Sequence, residues 1–383
     1  MRLLYVSLFL WLYAAASLWR LLPFHLLGKV AAGLALLAIS LKYVLYERFG
    51  GSFFAPELPR AALLVMEALY VALILLVILL LLRDVTAFIL WGAAKCFGTA
   101  WHIPLSAGKQ GAALVLAALL LGGWGAWQSV RVPDVRTVEI ILPHLPKSLD
   151  GFSIVQLTDL HIRTLLGKEW LEAVVERANA QNPDMIALTG DYIDGSVEKL
   201  HDNVAPLAGL RSRFGTYGVT GNHEYYFGVS EWNGFLESLG VRMLHNEHVV
   251  VEANGARLIV AGVPDLSESR FGGEGINLDK ALRNAPEAVR ILLAHQPRGA
   301  AGHAGVDVQL SGHTHGGSIF FLKPLLSAYN DGFVSGKYDC GRLQLYVSPG
   351  TGIWGGFSCR LGVPSEITRI ILRAGQGGET AGK

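Results

Sequence analysis

Eight side chains able to hold a metal ion or move a proton recur in five short blocks between residues 159 and 315. They are Asp159 and His161 in Asp159-Leu160-His161, Asp191 in Gly190-Asp191-Tyr192-Ile193-Asp194-Gly195, Asn222 and His223 in Gly221-Asn222-His223-Glu224, the isolated His295, and His313 and His315 in Gly312-His313-Thr314-His315. Imidazole nitrogens with carboxylate and amide oxygens suit divalent transition ions, and the absence of thiolates argues against a structural zinc site. The set is large enough for two ions. A carboxylate placed between two cations can bridge them. Two ions roughly 3.5–4 Å apart serve phosphoryl hydrolysis by polarising the phosphoryl oxygens and turning a bridging water into hydroxide near neutral pH.

Each block follows an apolar run that reads as a buried parallel strand: Ser153–Leu157, Met185–Leu188, Gly215–Val219, Ile291–Ala294 and Val306–Leu310. The C-terminal ends of successive strands are where open α/β sheets place their sites. Further strands are expected at Val132–Leu142, Val249–Val251, Leu258–Val263, Leu343–Val347 and Glu366–Leu372. Helices are expected at Glu169–Gln181, Val197–Leu210, Glu231–Leu239 and Asp279–Arg283. This interleaving predicts a layered α/β domain over 131–373. The Gly-rich polar tail 374–383 reads as disordered.

The first 130 residues are of another kind. They carry nine Lys/Arg and four Asp/Glu, against 23 and 27 in the remainder. Four stretches approach the roughly 20 apolar residues that span a bilayer: Leu3–Trp19, His25–Tyr46, Ala61–Leu82 and Gly111–Val130. Val85–Trp101, interrupted by Lys95, reads as an interfacial or re-entrant helix, with a fifth span as the alternative. Glu67 lies early in the third stretch, where access to the interface is the plain explanation. A multi-span membrane region over 1–130 in a cell membrane follows. With four spans, Arg2, Arg48, Arg60, Arg131 and Arg136 would face one side and Arg20, Lys29, Arg83, Lys95 and Lys109 the other, so the positive-inside rule sets no orientation. The mildly acidic remainder lacks the basic face of a nucleic-acid binder. The three cysteines form no Cys-x-x-Cys; free buried thiols are expected, with a Cys340–Cys359 pair left open.

At these blocks the chain resembles the calcineurin-like metallophosphoesterases, whose signature is Asp-x-His, Gly-Asp-x-x-Asp, Gly-Asn-His-Asp/Glu, a lone His and Gly-His-x-His. All five blocks are present in order, and the resemblance covers Ser153 to Leu372. It implies an α/β domain built as a β-sandwich flanked by helices, with Asp159, His161 and His315 on one metal, Asn222, His295 and His313 on the other, and Asp191 between them. It also implies that His223 contacts the phosphate and protonates the leaving oxygen. Glu224 stands where an aspartate is frequent and would orient His223; Asp194 reads as a cap or turn residue. The metals would be Mn, Fe or Zn. The membrane-anchored arrangement looks like a bacterial phosphodiesterase branch that includes enzymes similar to UDP-2,3-diacylglucosamine hydrolases.

The expected activity is hydrolysis of a phosphodiester or pyrophosphate bond. A lipid-linked substrate is suggested by the apolar stretch Ile319-Phe320-Phe321-Leu322, Pro324-Leu325-Leu326, Trp354 and Phe357, with core packing as the competing reading. The alternative is a catalytically inactive metal-binding membrane receptor or scaffold on the same fold; no ligand position is missing, which counts against it.

Overall fold

A computed structural model describes residues 2–375; the remainder of the tail expected to be disordered lies outside them. The chain divides into two compact units. One comprises Met1–Gln128 and Gly356–Leu361, the other Ser129–Gly355 and Gly362–Lys383.

The first unit is helical: α1 (Arg2–Leu21), α2 (Leu26–Ser40), α3 (Lys42–Phe49), α4 (Arg60–Phe97) and most of α5 (Ala107–Val130). Among the described residues, three helices are long and apolar enough to cross a membrane, or four if α2 and α3, bent by 61° at Leu41, form one span. The expected break after Leu82 does not occur. α4 runs unbroken for 38 residues, about 57 Å at 1.5 Å per residue. The charges in the middle of this run are partnered within the helical unit: Arg83 pairs with Asp84 at 2.7 Å and donates to Gln110, and Asp84 accepts from Tyr13. No proline interrupts the run, so nothing forces the helix to end.

Glu67 does not reach an interface either. It is 1% exposed and pairs with the equally buried Lys42 at 2.9 Å. The same Glu67 oxygen accepts from the Tyr46 hydroxyl, and the other accepts from the Ser358 amide. The Lys42 ammonium lies 4.4 Å from the ring centroids of both Tyr43 and Tyr70, so the buried charge is neutralised and surrounded by π faces. Gly356–Leu361 is thereby part of the helical unit, fixed also by Tyr43 donating to the Gly356 carbonyl and Arg360 donating to that of Gly125.

The second unit runs β1 (Asp134–Leu142), β2 (Ser153–Leu157), α6 (Lys168–Asn179), β3 (Met185–Thr189), α7 (Val197–Val204), β4 (Thr216–Val219), α8 (Asn222–Phe227), α9 (Val229–Ser238), β5 (Arg242–Met243), β6 (Glu247–Ala253) and β7 (Ala256–Gly262). It continues with α10 (Leu278–Ala281), β8 (Val289–Leu293), β9 (Val308–Ser311), α11 (Lys323–Tyr329), β10 (Gly336–Cys340), β11 (Leu343–Val347) and β12 (Glu366–Ala374). Two six-stranded sheets form, in the orders β1-β12-β2-β3-β4-β5 and β10-β11-β9-β8-β7-β6. The strands that precede the five blocks pair in parallel: β2 with β3, β3 with β4, and β8 with β9. Being covered on both faces, they are apolar almost throughout.

The core between the sheets joins Ile154, Ala187 and Val219 to Val260, Ile291 and Leu310. On the outer face of the first sheet, Leu171, Val174 and Ala178 of α6 and Trp232 and Leu236 of α9 pack on Val155, Leu157 and Ile186. Helical spacing puts those α6 residues on one stripe. The expected fold class, two sheets flanked by helices, is the one observed. All three cysteines are free, but only Cys359 is buried; Cys96 is exposed and Cys340 half-buried.

Candidate metal centre

β2, β3, β8 and β9 all end at one edge of the two sheets, and the loops leaving them turn sharply. Asp159, His161, Asp191, His313 and His315 adopt positive φ, from 47° to 70°. Each such residue costs about 1–3 kcal/mol, a strain that persists only where surroundings over-determine it. Here they do. Asp159 N–H donates to the Gly190 carbonyl and His161 N–H to that of Asp191. The His313 amide and the Thr158 hydroxyl donate to the Asp159 carboxylate. No side chain could replace Gly221, where a Cβ would stand 2.2 Å from an Asp191 carboxylate oxygen.

These loops bring the side chains into two groups. Asp159, His161 and His315 each offer one atom within 4.8 Å of the others, as do Asp191, His295 and His313. In the first group His161 Nε2 and His315 Nε2 are 3.2 Å apart, and His315 Nε2 lies 3.5 Å from Asp159. In the second, His313 Nδ1 lies 3.2 Å from His295 Nε2, which is 3.3 Å from Asp191 Oδ2. That same Oδ2 is 3.6 Å from His161 Nε2, so one carboxylate oxygen borders both groups. The Asn222 side-chain oxygen is buried with no hydrogen-bond partner, an arrangement natural proteins rarely tolerate. Imidazole lone pairs converging beside carboxylates and an orphaned amide oxygen fit a pair of divalent cations, which would satisfy all of them.

Hydrogen bonds to the other ring nitrogens fix the imidazoles. His295 Nδ1 contacts the Thr189 carbonyl at 2.8 Å. His161 Nδ1 and His223 Nδ1 both meet Asp194 Oδ1, at 2.9 and 2.6 Å. Asp194, fully buried, also accepts from the Gly355 amide through Oδ2, which lies 3.5 Å from Arg163. Asp194 is thus a hub and not a turn cap. The signal available in the sequence was its place three residues after Asp191 on the same strand-end loop. Glu224, expected to orient His223, takes three backbone amides, those of Gly221, Asp191 and Tyr192, at 2.6 to 3.0 Å. It holds the β3 and β4 loops together, while the carboxylate on His223 Nδ1 is that of Asp194.

The electrostatics follow from this crowding. Burial alone would lower the His223 pKa, but the Asp191 and Asp194 carboxylates raise it to about 9. Burial would raise Asp194, yet His161 and His223 hold it well below the usual carboxylate range. His223 Nε2 remains directed toward Asp191, 3.9 Å from Oδ2, at the shared edge of both groups.

Histidines outside the blocks take local roles. His144 pairs with Asp307 and His245 with Glu268, and His248 meets the Ala281 carbonyl. The expected apolar lip divides. Ile319 is buried, whereas Phe320, Phe321 and Leu325 are 61%, 41% and 55% exposed.

Residues 152–317 match the model of the calcineurin-like phosphoesterase family. A transmembrane protein with metallophosphoesterase domain from Bos taurus is 39% identical over 275 residues, 68% of this chain and 62% of that protein. An uncharacterized metallophosphoesterase of Helicobacter pylori is 38% identical over 261 residues, covering 67% of this chain and 68% of its own. One from Bacillus subtilis is 30% identical over 278 residues, 70% of this chain and 96% of its own. The chain spans about 62% of the length of the vertebrate relatives it matches. With the signature blocks gathered at one sheet edge, this chain belongs to the calcineurin-like metallophosphoesterase family and, among its described residues, carries helices long and apolar enough to cross a membrane.

Proposed function

We propose that this protein is a multi-pass, membrane-anchored phosphoesterase that hydrolyses a phosphodiester or pyrophosphate bond with two divalent ions, Mn, Fe or Zn. In this reading Asp159, His161 and His315 would hold one ion and Asn222, His295 and His313 the other, with Asp191, whose Oδ2 borders both groups, shared between them. The observation that carries it is the sharing of one Asp191 oxygen between two His-rich groups beside His223. Bound ions supply Lewis-acid polarisation of the phosphoryl group and activate the attacking water. The chain's own residues do the rest. Asp194 fixes His223 by its Nδ1, so that Nε2 is the atom left to deliver a proton to the departing oxygen. Asp194 orients His161 in the same way, and Glu224 keeps the Asp191 and Asn222 loops in register.

The substrate we favour is lipid-linked. Exposed Phe320 and Phe321 follow the His315–Gly317 turn within four residues of Gly317. Tyr226, 44% exposed, sits with its ring centroid 5.3 Å from that of His223. An apolar rim beside both flanks of a phosphate site suits a substrate with a greasy portion, and a membrane tether raises the effective concentration of lipids. This agrees with the resemblance to the bacterial branch containing UDP-2,3-diacylglucosamine hydrolase-type enzymes, without fixing that substrate.

The test is hydrolysis of bis(p-nitrophenyl) phosphate by the purified full chain loaded in turn with each metal. Wild type is expected to turn over and Asp191→Ala to lose activity by at least a hundredfold. Undiminished wild-type hydrolysis after exhaustive chelation would overturn the proposal. Binding of phosphate compounds without turnover under every metal would favour the receptor reading.

A further inference from the structure

The helical unit contains an open-sided cavity of about 510 Å³ among α1, α2, α4 and α5, within the size range of ligand sites, with Phe24, Leu116 and Leu119 on its walls about half exposed. Its lining side chains are all apolar. They include Leu18 and Leu22 near the end of α1, Ala32, Ala35 and Ile39 on α2, Leu69 to Leu76 on α4, and Ala112 to Leu119 on α5. On α2, α4 and α5 the lining runs over eight residues, about 10 Å of helix. That is roughly two-thirds of one leaflet of a 30 Å hydrocarbon core.

The cavity has an identifiable cause. α5 is held close to its neighbours by glycines: a Cβ at Gly122 would stand 2.7 Å from the Ala72 backbone nitrogen, and one at Gly111 would stand 3.0 Å from the Leu21 Cβ. These contacts fix the helix spacing, while the alanines between them are too small to fill the space it leaves. Water is a poor occupant, because it needs two to four polar partners and the lining has none. The helices are apolar enough to cross a bilayer, so the surrounding medium consists of acyl chains.

A second observation bears on the headgroup. Where Gly108 meets Pro23, the end of α1, the start of α2 and the start of α5 come together, and they carry Arg20, Lys29 and Lys109. Asp84 already meets Arg83 and Tyr13, and the Lys29 ammonium also donates to the Trp19 carbonyl at 2.8 Å. Clustered bases at a helix end beside lipid recognise anionic headgroups.

We infer that the helical unit holds one anionic diacyl phospholipid, an acyl chain in this cavity and its phosphate by Arg20, Lys29 and Lys109. The site is independent of the phosphoesterase reading, and its test uses no activity. The full chain is purified in neutral detergent, incubated with phosphatidylglycerol or phosphatidylcholine, and examined by native mass spectrometry. One phosphatidylglycerol per chain is expected to be retained, at least fivefold over phosphatidylcholine. Ala35→Phe and Ala112→Phe, which point bulk into the cavity from different helices, should each reduce retention about tenfold without lowering the melting temperature. Leu120→Phe, on the outer face of α5, should not reduce it. Arg20→Gln with Lys109→Gln should abolish the headgroup preference. Equal retention by the two filled variants, or equal retention of the two lipids by wild type, would overturn the inference. If a filled variant melts early, the paired Gln substitutions alone decide, since they leave the packing intact.

Discussion

Replacing Asp194 by asparagine isolates what a single buried carboxylate does for the proposed reaction. The side chain keeps its shape, but only one oxygen remains to accept. In the native arrangement Oδ1 receives both His161 and His223, and Oδ2 receives the Gly355 amide. An asparagine must either turn its NH₂ toward the imidazoles or set it against the Gly355 N–H. Charge-assisted hydrogen bonds contribute about 1.5–3 kcal/mol each, and removing one partner of a buried pair costs about 3–5 kcal/mol. If about 2–4 kcal/mol of this appears in the transition state, kcat falls roughly 30- to 1000-fold, at about 1.4 kcal/mol per tenfold. KM should change little, because Asp194 lies behind the imidazoles. The assay is steady-state hydrolysis by the full chain at saturating metal, with aryl diesters of graded leaving-group pKa. The loss should grow as the leaving group worsens, since an activated phenolate needs no proton from His223. Activity within threefold of wild type, or a loss independent of leaving group, would refute the argument that Asp194 acts through His223.

Three further outcomes are expected. Asn222→Ala should lower bound metal from two ions toward one per chain by elemental analysis, because the orphaned amide oxygen is lost. Glu224→Ala leaves three buried amides unsatisfied and should destabilise the second unit by about 3 kcal/mol or more at about 1–3 kcal/mol per group, seen as an earlier thermal transition. In the helical unit, Lys42→Met or Glu67→Gln alone should each cost about 3–5 kcal/mol, while the two together should recover much of that in a double-mutant cycle.

The strands, the two-sheet architecture and the gathering of the five blocks were readable because each block is short, polar and preceded by a run too apolar to be anything but covered. What could not be read were partnerships over long sequence separations. Asp194 and His223 are 29 residues apart, and only the fold shows that their atoms meet. The continuation of α4 past Arg83 and Asp84 could not be seen because their partners Tyr13 and Gln110 are remote in sequence. Glu67 looked like an interfacial residue because nothing links it locally to Lys42 or to Ser358. The exposure of Phe320 and Phe321 was equally hidden, since an apolar pair after a glycine turn reads the same in a core as on a rim.

The lodging of Gly356–Leu361 among the helices has a practical meaning for anyone wishing to prepare the hydrolase alone. A polypeptide started after the last helix would retain Gly356–Leu361 but lose Tyr43 and Glu67, which bond Gly356 and Ser358, and Gly125, against which Cys359 and Leu361 lie. Immediately beyond them comes β12, wedged between β1 and β2. Such a fragment would therefore carry a sticky hexapeptide directly ahead of a strand inside its first sheet, and should aggregate unless that hexapeptide is rewritten in polar residues.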